Sequence, residues 1–392
     1  MVTTRSSTWT VGSATVQLSK REVTQHVEPL KGRALMNTLR NVAVSCALLA
    51  IFGAAGFAQG QAPDYRQNII KTADWTVSGA SSLPDGAILF TPTKIVPYYS
   101  NLAAIGLTRN KAYYPQVKAW MQWYISHLNY PDKWGLYCTM YDYNVSGTVE
   151  TSTEDADSTD SYAATFLSLA WAYWQTGDPE VRAYIGTLSY QLDCIGGVIV
   201  QTQQSNGLTW AKPDYQAQYL MDNAEVYRGL RDAAKLFQAA FGDTNARDWY
   251  NSHAVAAHNG IETALWDPVH NNYLTYAGAP PSRWYKWYPD ATAQLFPVLN
   301  GVISGFSPRA KHLYNTFNRH WPKWDQLKFP DAFPWALVPG AAALIGDAPR
   351  VNTYIRKIDK RYVNRGFPYP WYCEEAGWFI RVNNYMLGKR PL

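Results

Sequence analysis

The sequence predicts an all-α fold, a toroid of about six helical hairpins arranged in two concentric layers. Two observations carry this. A short joint recurs, as "TGDPEVRAY" at 176–184, "FGDTNARDW" at 241–249, "SGFSPRAKH" at 304–312 and "IGDAPRVNT" at 345–353, with a looser copy, "IGLTRNKAY", at 105–113. Gly as a stop, then Asp or Ser as the next N-cap, often with Pro behind it, joins one helix to the next, and recurrence every 40–70 residues or so marks a repeated hairpin. The helices on the two sides of the joint also differ in kind. Those after it, such as "APRVNTYIRKIDKRYV", are amphipathic and face water on one side. Those before it, such as "SYAATFLSLAWAYW", "ATAQLFPVLNGVI" and "LVPGAAALI", are apolar on nearly every face and must be buried all round.

Inner helices are expected near 94–105, 158–175, 222–239, 290–303, 332–344 and 375–387. Five have an outer partner after them, and the segment 64–75 is expected to close the ring from the N-terminal side. Small residues at Ala163, Ala164 and Ala341–Ala343 allow close inner packing. Aromatic, strand-like runs at 133–143, 206–215 and 271–278 lead into the loops before inner helices, so those loops should gather at one end of the ring.

Residues 1–58 are expected to be a leader rather than part of this fold. "VAVSCALLAIFGAAGF" (42–57) follows Arg40 and ends beside small residues, the layout of a secretory signal whose natural start is Met36. The competing reading is a membrane anchor. The expected domain is 59–392, secreted or periplasmic, with no membrane span kept after signal removal. It holds 29 basic and 28 acidic residues, which leaves no electrostatic case for nucleic acid. Its cysteines, Cys138, Cys194 and Cys373, allow at most one disulfide and form neither a zinc signature nor a disulfide framework. "DADSTD" (155–160) alternates acids as a calcium loop does, but lacks the Gly and the distant Glu of an EF-hand. No cofactor is expected.

Five of the six inner helices begin with acids beside aromatic residues. The second has Asp155, Asp157 and Asp160; the third "MDNAEVYRGL" with Asp222 and Glu225; the fourth "WYKWYPDATAQL" with Asp290; the fifth "FPDAFPW" with Asp331; the sixth "PYPWYCEEAGWF" with Glu374 and Glu375. Any one of these can be explained as a helix cap, worth about 0.3–1 kcal/mol. The set, with Trp284, Trp287, Tyr288, Trp335, Trp371 and Tyr372 around it, fits a carbohydrate partner: rings stack on apolar sugar faces and carboxylates accept from hydroxyls. Two such acids, one kept protonated by burial and one ionised, can cleave a glycosidic bond.

The hairpin repeat with "DSTDSYAAT", "MDNAEVYRGL" and "WYCEEAGWF" resembles the six-hairpin glycosidase superfamily, the (α/α)6 toroid of glucoamylase-like and cellulase-like hydrolases, over about 85–387. The resemblance implies a glycoside hydrolase, commonly inverting, with its site at the inner-helix N-termini and its acid and base drawn from different hairpins. By position, Asp222 or Glu225 matches the mid-chain acid and Glu375 or Glu374 the late base, with Asp160 a third contender. The catalytic candidates are therefore Asp222, Glu375, Asp160 and Glu225. Asp157, Asp290, Asp331, Glu374, Trp287, Tyr288, Trp335, Trp371 and Tyr372 are expected to bind sugar. Two other readings remain open on the same toroid. One is a polysaccharide lyase, with Tyr227 or Tyr288 as base and Lys212, Arg228, Arg283 or Lys286 facing a uronate. The other is a non-catalytic carbohydrate-binding envelope protein.

Overall fold

The computed structural model describes residues 62–392; the expected leader and signal lie outside the described residues. Six outer segments alternate with six inner ones. The outer layer comprises α1 (Tyr65–Thr76), α3 (Tyr114–Ser126), the pair α5 (Pro179–Gly186) and α6 (Ser189–Thr202), α8 (Thr244–Gly260), α10 (Pro308–His320) and α12 (Ala348–Arg361). The inner layer comprises α2 (Pro97–Leu107), α4 (Thr159–Trp174), α7 (Leu220–Leu236), α9 (Phe296–Leu299), α11 (Val338–Ile345) and α13 (Cys373–Met386). Each inner helix packs on the next, and α13 packs on α2, so the ring closes. The helix α1, over the segment expected to close the ring from the N-terminal side, packs mainly against α13.

The recurrent joints behave as their sequence dictates. Asp178, Asp243, Ser307 and Asp347 each accept a hydrogen bond from a backbone N–H in the first turn of the following outer helix, which satisfies one of the donors a helix start leaves free. Gly177, Gly242 and Gly346 ahead of three of these caps have positive φ, where a side chain would be strained. The outer helix α12 buries Val351, Tyr354, Ile355 and Ile358, one stripe at helical spacing. The inner helix α4 buries every residue except Ser168, Trp171 and Trp174.

Small residues set the inner spacing. A Cβ on Gly229 of α7 would lie 2.6 Å from the Ala164 Cα of α4. Where α13 meets α2, Gly106 and Gly377 face each other, and a Cβ on Gly106 would sit 2.7 Å from the Gly377 Cα.

Three expectations are corrected. The fourth inner segment is not a continuous helix over 290–303: it is a kinked turn, Trp287–Ala291, and the four-residue α9. Pro289 and Pro297 remove backbone donors, and the Gln294 side chain instead bonds the Tyr273 backbone at N and O, 2.8 and 2.7 Å. The run "PEVRAYIGTLSYQL" is split into two helices at Thr187 and Leu188. The strand-like runs are mostly isolated bridges; regular strands are β1 (Lys94–Ile95), β2 (Tyr143–Ser146), β3 (Val149–Ser152), β4 (Trp266–Asp267) and β5 (Asn272–Tyr273), in antiparallel sheets β1-β2-β3 and β4-β5. A disulfide joins Cys138, in the loop before β2, to Cys194 of α6, and Cys373 is free and buried.

Candidate active site

All six inner segments send residues into one cavity of about 570 Å³ at their N-terminal ends. Tyr98 and Tyr99 come from α2, Ser161 and Tyr162 from α4, Asp222 and Glu225 from α7. Tyr288 comes from the kinked turn, Asp331 and Trp335 from the loop before α11, and Glu374 and Glu375 from α13. The common end follows from the alternation itself: inner helices entered in the same direction expose their first turns together.

The carboxyls divide into two kinds. Glu375 and Asp160 are used up by the protein. Glu375 accepts from the backbone N–H of Trp335 (2.9 Å) and of Ala336 (2.5 Å), one on each oxygen, and so clamps the loop before α11. Asp160 is wholly enclosed; it accepts from Ser158 Oγ (2.7 Å), the Ser161 N–H (2.8 Å) and Thr209 Oγ1 (2.5 Å). It was expected at the mouth as a catalytic candidate, but it lies behind the cavity wall.

Asp222, Glu374 and Glu225 line the cavity and are each held by a single hydroxyl. Ser158 Oγ, whose one proton goes to the nearer Asp160, lies 3.1 Å from Asp222 Oδ2, where it can accept from the protonated Asp222; Tyr372 donates to Glu374 Oε2 (2.6 Å) and Tyr98 to Glu225 Oε1 (2.6 Å). The Ser158 hydroxyl thus touches both Asp160 and Asp222, so the enclosed carboxyl supports the half-buried one. Glu225 is 7% exposed and forms part of the floor.

Burial sets the charge states. It raises Asp222 well above the ordinary carboxylate range, and the neighbouring Asp160 adds to the shift. Burial likewise raises Glu225 well above that range, against the opposing Tyr98 hydrogen bond, and both Asp222 and Glu374 push it further. Glu225 therefore lies within the field of both. Burial takes Glu374 to about 7, Asp160 to about 6, and Glu375 to about 8 with the Glu374 charge assisting.

Asp157, Asp331, Tyr288, Trp335 and Tyr372 also line the cavity, as placed by sequence reasoning. Tyr288 is 54% exposed and leans on Trp335, centroids 5.5 Å apart. Three expected sugar contacts lie elsewhere. Trp287 is buried, stacked on Phe329 at 4.1 Å. Trp371 is buried among Tyr362, Phe367 and Phe379. Asp290 sits in the kinked turn outside the cavity lining. In both tryptophans the apolar payload of the ring goes to the core.

Sequence reasoning missed Tyr98, Tyr99, Tyr162, Lys94, Asp142, Phe90, Phe333 and Trp378, all of which line the cavity. The pair "PYY" opening the first inner helix carried a usable signal, since that helix start had to face the same end. Lys94 and Asp142 form an ion pair at 2.9 Å across the sheet, and Tyr162 donates to Asp142 at 2.7 Å; only the fold brings them together. Among the described residues no group of three or more His, Cys, Asp or Glu is placed to hold a metal ion, and no helix is long and apolar enough to cross a membrane.

No protein-family model and no curated protein matches the chain. Solved structures do. A glycosidase in complex with glucose superposes with a TM-score of 0.59 at 11% identity, over 83% of this chain and 97% of that one. A mannosylglycerate hydrolase from Thermus thermophilus, also with glucose, superposes at 0.55 and 12% identity over 81% and 99%. A rhamnosidase from Klebsiella oxytoca with rhamnose bound does so at 0.56 and 14%, over 84% of this chain and 66% of that one. At such identities the likeness is one of fold: the chain is an α/α toroid of the kind these glycosidases share.

Proposed function

We propose that the protein is a glycoside hydrolase in which Asp222 is the general acid and Glu374 the general base, acting with inversion. The observation that carries this is the pairing itself. These two carboxyls come from different hairpins, face one cavity, and are each anchored through one oxygen by one hydroxyl. Burial keeps the proton on Asp222, as a donor to the leaving oxygen requires, while Glu374, at about 7, ionises near neutral pH and can take a proton from water. Glu225, held by Tyr98 in the floor, adds its field to both. Glu375 holds the loop that carries Trp335.

The substrate is a neutral sugar. Aromatic rings and carboxyls make up most of the lining, and its one cation, Lys94, is committed to Asp142. A uronate would find no free cation there, since Lys212, Arg228, Arg283 and Lys286 are all absent from the lining, as is any His. This favours hydrolysis over the lyase reaction. Tyr288 and Trp335 supply rings for an apolar sugar face. The Cys138–Cys194 disulfide supports a secreted or periplasmic location, because such bonds persist in oxidising compartments.

The test is a panel of glucan, mannan, xylan and uronan oligosaccharides with reducing-end detection. Release from a neutral member is expected. Asp222→Asn and Glu374→Gln should each lower kcat by about 10²–10⁴-fold, and proton NMR of the first product should show the inverted anomer. No release from any member, or release that survives both substitutions, removes the reading. Loss in a folded Glu375→Gln enzyme with Glu374→Gln still active would move the base to Glu375.

A further inference from the structure

A second cavity, of about 480 Å³, opens at the opposite end of the ring, where the inner helices finish. Its chemistry is the reverse of the first. Arg109, Arg228, Lys235 and Arg381 line it, and the acid in its lining is Glu225, at the floor it shares with the sugar cavity.

The local carboxylate does not serve all these cations. Asp232 accepts from Arg228 Nε at 2.6 Å and from Lys235 Nζ at 2.9 Å, one on each oxygen. Arg228 also reaches the Leu392 carbonyl oxygen at 3.4 Å. Arg381 is 6% exposed and lies over the Trp378 ring, 3.7 Å from its centroid, yet its Nε–H finds no acceptor among the described residues. The buried Nε–H of Arg109 finds none either.

Lys235 in the last turn of α7 and Arg109 just beyond α2 complement helix C-termini, but Arg228 and Arg381 lie mid-helix, and the dipole does not account for the lost hydrogen bonds. A buried donor without a partner carries the whole cost of its desolvation, and more so when charged. Burial, helped by the charges of Arg390 and Arg228, pushes the Arg109 guanidinium down to about 9; burial with Arg109 and Arg228 pushes Arg381 well below its usual value. These groups crowd one another, and neither Arg109 nor Arg381 has a salt-bridge partner of its own among the described residues, the nearby Asp232 being taken by Arg228 and Lys235.

We propose that this cavity binds a small multivalent oxyanion of the inorganic phosphate class, received by the guanidinium groups of Arg381 and Arg109. The guanidinium fork matches tetrahedral oxyanions by paired N–H···O bonds, and a dianion would supply acceptors to the terminal N–H groups of both arginines, which line the cavity and make no hydrogen bond among the described residues. The site is distinct from the sugar cavity and separated from it by the floor that contains Glu225 and Trp378.

Calorimetric and thermal titration of the whole protein with inorganic phosphate, at ionic strength held constant with sodium chloride, tests this. Saturable binding is expected, with Tm raised by about 2–3 °C at tenfold excess over Kd. Arg381→Met and Arg109→Gln should each weaken binding at least about tenfold, the loss expected for one charged fork of a bidentate pair. Arg247→Gln, at an exposed pair with Asp248, should leave it unchanged. Two arginine positions are tested so that one unfolded variant leaves the other decisive. A phosphate effect no larger than that of chloride, or one that both folded arginine variants retain, overturns the proposal.

Discussion

The Gly377→Ala substitution tests how tightly the ring is closed and how closely that closure governs the site. A Cβ at 377 would lie 2.2 Å from the Leu102 carbonyl oxygen, 2.6 Å from its carbon and 2.7 Å from the Ala103 Cα, where ordinary contact begins at 3.4 Å. All three atoms belong to backbone, so no side chain can rotate away, and α13 must retreat from α2 by roughly 1 Å. Overpacking of this kind costs about 3 kcal/mol. The better helix propensity of Ala returns about 1 kcal/mol, leaving a net loss of about 2 kcal/mol, or about 3–5 °C in Tm. The same retreat displaces Glu374, three residues earlier on α13, and a shift of about 1 Å in a catalytic group costs on the order of 10²-fold in rate. Urea and thermal unfolding, followed by assay on the best neutral oligosaccharide, measure both effects. Gly186→Ala is the control: no atom lies within 4 Å of its added Cβ, so it should unfold within about 0.5 kcal/mol of the parent. Gly106→Ala strains the same contact from the other side, so the double variant should lose less than the two single losses added. A Gly377→Ala protein that unfolds with the Gly186→Ala control would show that the helices do not meet as closely as described.

The activity profile should be a bell, rising with the ionisation of Glu374 near pH 7 and falling where Asp222 gives up its proton; Glu374→Gln should remove the acid limb from whatever rate remains, and an unchanged limb would contradict the assignment. Stability should move the opposite way with pH. Asp160, Glu374 and Glu375 have folded values of about 6, 7 and 8, above those of the unfolded chain, so their contribution is complete below about pH 4 and is lost as pH rises through the folded values. Tm at pH 5 should exceed Tm at pH 8 by about 5 °C or more; a flat or rising profile would refute the burial of these groups. The Cys138–Cys194 bond spans 56 residues, for which loop-closure entropy gives a loss of about 4 kcal/mol on reduction; unchanged urea unfolding after full reduction would contradict it.

The layers were legible because burial writes itself into composition. A helix such as α4, buried on nearly all sides, cannot carry the charges that α12 carries on its wet face, and the capped joints between them need particular residues to satisfy free N–H groups. The fourth inner segment was misread for the same reason: "ATAQLFPVLNGVI" is apolar enough to be buried, and burial alone does not say helix. Pro289, Pro297 and the Gln294 side chain decide that, the last through a contact with Tyr273 that no local pattern announces.

The end of the ring that holds the carboxyl-lined cavity was legible too, since acids gathered at one helix terminus after another. The division of labour among them was not. Glu374 and Glu375 are neighbours in sequence and identical in chemistry, yet about 100° of helical rotation turns one toward the Tyr372 hydroxyl and the other onto two backbone N–H groups of another loop. Asp160 and Asp222 differ likewise: Thr209, reaching in from a segment 49 residues away, occupies the second oxygen of Asp160 and closes it off, while Asp222 keeps only the shared Ser158 hydroxyl. A carboxyl with both oxygens satisfied can hold a loop but has nothing left to offer a substrate; one with a single anchor is oriented and still free to exchange a proton. That difference is made by the partners and not by the residue, so candidate acids can be read from the sequence, while the choice between them requires the surrounding hydrogen bonds.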